Sequence, residues 1–327
     1  MIVRVCLTAG AGPSDDCSLT DGGCTLPLSK PLDDPANRIW TDRIVAWKRI
    51  SNEVWVWKYA GNFQYTIAPQ PLYMLLGDDI QTLDSLGVTG YFAETSSDIA
   101  EEMAALKVYV VGQKLLDPTL DTIAVDWDFV SNFYGPAAAQ NVMQYCILMY
   151  NATRNYGGYR PGVTWTRGNA LEGNFEWAAA FGNRTMIQAA TLLTAAFRAS
   201  ANTEYQSRVG LVLMSIQYVM LVRWNEFKAF AAQTGSAAGR WPLHATLDEE
   251  LAAFAGTFNS SSLLKNGDDG AGRFQGSVSG GCAFGCFVTL DEFEQQVKHL
   301  NPPPAKPTGA HIMVSHHGIS SWYQSLS

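Results

Sequence analysis

The sequence predicts an α/β start followed by a mostly α-helical remainder, and three observations carry that reading. Three short runs rich in β-branched and aromatic residues, Ile2–Leu7, Glu53–Tyr59 and Val88–Ala93, punctuate the first hundred residues. Helix-patterned stretches separate them. From about residue 100 onward no strand pattern competes with helical spacing for a long way. Strand, helix, strand, helix, strand, helix is the order that parallel strands with right-handed helical crossovers satisfy most economically.

Taken in order, Ile2–Leu7 is a β-branched run with no helical period, followed by a loop from Thr8 to about Pro35 dense in Gly, Pro, Asp and Ser. Ile39, Trp40, Ile44, Trp47 and Ile50 then fall at helical spacing, and Ser51-Asn52 ends that helix. In EVWVWKY, Trp55, Trp57 and Tyr59 share one strand face, while Val54, Val56 and Lys58 share the other. A Pro-containing loop at Ala68–Leu72 leads to a helix expected over Asp78–Leu86, closed by Gly87. After the third strand, Ser96–Asp98 reads as the start of a helix whose interior carries Met103, Leu106, Val110 and Leu115.

Asp117-Pro118 ends that helix, and further helices are expected over Thr122–Tyr134, Pro136–Tyr156, Thr185–Ala199, Glu204–Gln233, Leu247–Phe258 and Leu290–His299. Residues 157–180 form a Gly- and aromatic-rich connection, 259–281 is rich in Gly and Ser, and the tail after Asn301 opens with three prolines. The division this implies is an α/β unit over 1–100, an α-helical domain over 101–300 and a disordered tail over 301–327.

Composition narrows the function classes. With 22 Lys and Arg against 30 Asp and Glu, the net charge is −8, and no basic cluster is present to neutralise a run of phosphates. Nucleic acid and anionic membrane are therefore not expected partners. The longest apolar run of the C-terminal half, Val209–Val222, is too short to span a bilayer. The opening MIVRVCLTAG has an Arg inside a short β run and does not read as a signal peptide. Cys17 with Cys24 and Cys282 with Cys286 could form two pairs, leaving Cys6 and Cys146 as buried thiols, and neither pair has zinc-ligand spacing. The triplets at Asn151, Asn183 and Asn259 tilt the expected location outward, toward a secretory route. His311, His316 and His317 have no acid or Cys at ligand spacing, so no metal is expected. No phosphate loop and no G-x-S-x-G elbow occurs, which removes nucleotide and α/β-hydrolase chemistry and leaves no cofactor implied.

The stretch with chemical promise is LGVTGYFAET, Leu86–Thr95, which delivers one carboxylate, Glu94, to the end of a strand. Val88, Gly90, Phe92 and Glu94 share a face, so an acid terminates a row that is otherwise apolar or small. The crevice beyond the carboxyl ends of parallel strands is where α/β proteins bind ligands. Glu94 is the candidate general acid or base. Trp57 and Tyr59 are the candidate floor for a sugar ring, with Phe92 beside Glu94 and Asn62 bonding a hydroxyl. Trp55 reads as packing, Asp15 and Asp16 as a solvated loop pair, and Asp126 and Asp128 as surface charge on a helix.

Read together, VRVC at Val3–Cys6, the W-x-x-I at Trp47, VWVWKYAGNF at Val54–Phe63, GVTGYF ending at Phe92, LKVYVVGQKLLDP at Leu106–Pro118 and DFVSNFYGPAAA at Asp128–Ala139 resemble the DUF4838 family. The resemblance runs from about residue 2 to 155. It implies likeness to glycoside hydrolases built on a (β/α)8 barrel, of which about three βα units stand here as the C-terminal part, with about five strands expected upstream of Met1. In the family the second strand carries an acid between its aromatic pair, where this chain has Lys58, and the third strand ends in a Gln or Glu, which Glu94 supplies with one residue of offset. The function implied is hydrolysis or binding of a polysaccharide without a cofactor; the rival is a non-catalytic carbohydrate-binding or protein-interaction module.

Overall fold

The computed structural model describes residues 2–7, 31–60, 67–94, 101–155, 182–234, 241–260, 274–275 and 287–303. It opens with a parallel sheet of three strands, β1 (Ile2–Leu7), β2 (Glu53–Tyr59) and β3 (Gly90–Glu94), in the order β1-β2-β3. Val5 pairs with Val56 and Val56 with Tyr91 across the sheet. Helix α1 (Arg38–Lys48) lies in the first crossover and α2 (Tyr73–Ser85) in the second. This is the α/β start that the alternation of patterns predicts.

The second crossover helix begins earlier than the expected Asp78. Residues 73–77 are buried on every side, so the run YMLLG carries no amphipathic period by which to recognise it. Its end is as expected: Gly87 takes φ +73°, and the amides of Gly87 and Val88 return to the carbonyls of Asp84 (2.8 Å) and Leu83 (3.0 Å). Those two bonds close the last turn as a left-handed cap does. Such a turn suits a residue without a Cβ.

Helix α3 (Ala104–Leu116) starts at Met103, itself in the left-handed region at φ 56°; the expected cap at Ser96–Asp98 lies outside the described residues. Leu115, expected inside, faces solvent, and Lys114 is buried in its place. The Lys114 ammonium donates to the carbonyls of Pro118 (2.7 Å) and Leu120 (2.6 Å), so the turn at Asp117-Pro118 folds over a lysine rather than a leucine. Helix α4 (Thr122–Phe133) is capped by Asp121, whose carboxylate accepts from the Ala124 amide at 2.7 Å, and α5 (Pro136–Asn155) follows at once.

The rest is helical: α6 (Asn183–Ala199), α7 (Tyr205–Val222), α8 (Trp224–Thr234), α9 (Leu247–Ser260) and α10 (Leu290–Leu300). Two short strands, β4 (Phe274–Gln275) and β5 (Phe287–Val288), pair antiparallel. The single helix expected over Glu204–Gln233 is divided at Arg223. Asn301 causes the division: its amide nitrogen donates to the Leu221 carbonyl (2.9 Å) and its oxygen accepts from the Asn225 amide (3.0 Å). A side chain from beyond α10 thus replaces bonds of the helix ladder. Helix α7 is the axis of this region, buried from Val209 to Leu221 except Leu211, with α6, α8, α9 and α10 packed on it. One hydrophobic core runs from Leu32 through α7 to Val297. Among the described residues no helix is long and apolar enough to cross a membrane. The tail beyond Pro303 lies outside them.

Candidate functional site

The two faces of β2 have opposite fates. Val54, Val56 and Lys58 are buried on one, while Trp55 and Trp57 stand on the other, in register with Gly90 and Phe92 of β3. Tyr59 and Glu94 are paired at the carboxyl end of the same row. This second face is open: Trp55 is 37% and Phe92 50% exposed.

Glu94 is half-buried, and its Oε2 accepts a hydrogen bond of 2.6 Å from the indole Nε1 of Trp57. Indole nitrogen can only donate, so the bond fixes one carboxylate oxygen toward β2. The Glu94 carbonyl accepts from the Ala60 amide at 2.7 Å, extending the sheet past the last paired residues and holding the strand end in place. Trp57 meets Phe92 edge to face, with ring centroids 4.7 Å apart. The Trp55 ring lies flat on Gly90, where a Cβ would come within 2.4 Å of it. Gly90 is thus the space in which Trp55 reclines. Trp55, Val56, Trp57 and Phe92 enclose a cavity of about 220 Å³.

Of the sequence-predicted site residues, the structure brings together Trp57, Phe92 and Glu94. Tyr59 stands in register with Glu94, and its side chain lies outside the described residues, as do Asn62, Asp15, Asp16 and the cysteine pairs. Trp55, read from sequence as packing, lines the cavity instead; its place one alternation before Trp57 was the available signal. Asp126, read as surface charge, is fully buried, and neither carboxylate oxygen has a hydrogen-bond partner among the described residues. Burial, then the nearby Asp78 and Asp121, push its carboxyl up to about 8. Asp128 is exposed as expected and accepts from the Tyr109 hydroxyl at 2.6 Å. Cys146 is a buried free thiol.

Lys58, the departure from the resembled pattern, does not face the site. Its ammonium lies 2.5 Å from Asp79 Oδ2 on α2, behind the sheet, and Asp79 Oδ1 accepts from the Leu32 amide at 2.9 Å. Burial pushes the Asp79 carboxyl up against the opposing pull of Lys58. The lysine belongs to the packing between sheet and helix, on the face away from Glu94.

Among the described residues no group of three His, Cys, Asp or Glu side chains is placed to hold a metal ion. A parallel sheet with an aromatic row ending in a carboxylate defines the class of site. Residues 22–146 match the sequence model of DUF4838, a domain of unknown function. No curated protein and no solved structure matches the chain.

Proposed function

We propose that the chain acts on or binds a polysaccharide at the open face of its sheet, as a glycoside-hydrolase-like protein contributing part of a (β/α)8 barrel. The observation that carries this reading is the Trp57–Glu94 hydrogen bond: an indole anchors a carboxylate at the carboxyl end of a parallel strand, beside an open aromatic slot. Trp55, Trp57 and Phe92 offer apolar ring faces and edges on which a pyranose can sit, and Glu94 is the group to exchange a proton with a glycosidic oxygen. In a barrel this row would point inward, which accounts for aromatic side chains on a sheet face that the described residues leave uncovered.

Hydrolysis ordinarily takes two carboxyl groups about 5 to 9.5 Å apart. Glu53, on the same face, stands six residues before Tyr59, the partner of Glu94. At about 3.3 Å per residue that is roughly 20 Å, too far to be the second acid. This distance favours, as a second reading, a module that binds carbohydrate without cleaving it.

Glu94→Gln in the full chain separates the two. Reducing ends released from a panel of neutral and acidic polysaccharides should fall by about 100-fold or more in the variant, with binding retained in affinity electrophoresis. Turnover equal to that of the parent chain overturns the assignment of Glu94; binding without turnover in either protein selects the binding module.

A further inference from the structure

A second concave site lies far along the chain from the sheet, between α6, α7 and α9, in a cleft of about 900 Å³. Its two ends differ in chemistry. Helices α6 and α7 are joined by a short turn, so Arg198, in the last turn of α6, and Arg208, in the first turn of α7, both line the cleft at the end near that turn. Gln217 lies nine residues beyond Arg208, roughly 13 Å along the helix axis. Helix α9 runs antiparallel to α7, because Glu250 meets Gln217 while Thr257 lies beside Gly210.

The far end holds a polar cluster that ties α7 to α9. Glu250 is fully buried; its Oε1 accepts from Gln217 Nε2 at 2.6 Å, and its Oε2 from the His244 amide (2.9 Å) and lies 2.8 Å from His244 Nδ1. A carboxylate can only accept, so His244 Nδ1 carries the proton of this contact. Gln217 is 4% exposed, and its Oε1 has no hydrogen-bond partner among the described residues. The Gln217 amide oxygen left over at this end is an acceptor.

The near end is the complement. Among the described residues neither Arg198 nor Arg208 is ion-paired. The Arg208 guanidinium is held in place by the Phe133 carbonyl (2.9 Å) and by the Phe133 ring (4.6 Å). Between the ends, Phe197 and Leu211 supply apolar wall, and a Cβ on Gly256 would meet nothing within 4 Å.

We propose that this cleft binds an elongated organic acid whose carboxylate is taken by Arg198 and Arg208 and whose apolar body lies past Gly256. A hydroxyl or other hydrogen-bond donor at its far end reaches Gln217 Oε1. Planar guanidinium groups suit a carboxylate, a dry wall suits a hydrocarbon body, and the unpartnered Gln217 oxygen selects a donor-terminated ligand over a plain acid. The site is separate from the aromatic face of the sheet and stands or falls without it.

The test is isothermal titration of the full chain with ω-hydroxydodecanoate and with dodecanoate, below their micelle concentrations. The hydroxy acid should bind saturably and about tenfold more tightly than the plain acid. Gly256→Phe, which fills open space, should abolish binding of both acids without lowering the melting temperature. Arg198→Gln, an exposed change, should weaken both acids about tenfold and leave their ratio intact. Absence of saturable binding, equal affinity for the two acids, or unaltered binding by Gly256→Phe or by Arg198→Gln overturns the proposal.

Discussion

The two halves of the molecule treat their apolar side chains differently. Every large apolar side chain that stands exposed among the described residues lies between Ile39 and Ile147, within or next to the segment that matches DUF4838; none lies between 182 and 303. The later half is closed upon α7, whose flanks are covered by four helices. The earlier half buries one face of its sheet, while Trp55 and Phe92 on the other stay 37% and 50% exposed. Parallel sheets in α/β proteins ordinarily have both faces covered, and among the described residues no helix or strand packs on this aromatic row. The comparison teaches that burial on all sides organises the helical half, whereas the second face of the sheet keeps an aromatic row that is only partly buried.

Phenylalanine truncation is the sharpest way to break that comparison. Phe254, fully buried beside Phe293 at 5.3 Å, should cost about 3 to 5 kcal/mol when replaced by Ala. Phe92→Ala, on the open face, should cost about 1 kcal/mol or less. Urea unfolding of the two variants compares them directly, and equal losses would mean that the sheet face is covered as tightly as the helical core.

Next in size is the pH response of Asp126. Its carboxyl titrates near 8 in the folded chain against 3.8 in the reference state, so it is neutral when folded over a range in which the unfolded chain has already ionised. The folded state then binds more protons, and the group's contribution to stability, complete below pH 3.8, is lost as pH rises toward 8. Asp126→Asn should therefore raise stability by a few kcal/mol at about pH 8 and by little at about pH 4. Burial also raises the carboxyls of Asp79 and Glu102, so part of the slope should survive. Thermal melts at the two pH values supply the readout, and parallel shifts at both would refute the assignment.

The buried pair behind the sheet comes last. Lys58→Met strips Asp79 of its cation and should cost about 3 kcal/mol, while adding Asp79→Leu should recover most of the loss. Neither change should alter binding at the opposite face. Altered polysaccharide affinity in the double variant would show that the two faces of β2 communicate.

Much of the fold was legible because it rests on short-range pattern. Alternation in EVWVWKY and GYFAE identifies the strands and sets Trp57, Phe92 and Glu94 on one face, and Gly87 marks the end of α2. What stayed hidden depends on partners far away in sequence. The division of α7 from α8 depends on Asn301, 76 residues beyond the Asn225 amide that it accepts from. The orientation of Lys58 is expressed through Asp79, 21 residues on, and the Gln217–Glu250 contact spans 33 residues.

The sequence alone determined the order of elements, the parallel α/β start and the position of one acid at a strand end, since periodicity and turn chemistry act over a few residues. Tertiary structure decided which face of the sheet stays open, that Asp126 is buried without a partner among the described residues, and that two arginines and a histidine–glutamate pair line opposite ends of one cleft. Those outcomes depend on what packs against each side chain, and packing is a property of segments brought together from distant parts of the chain.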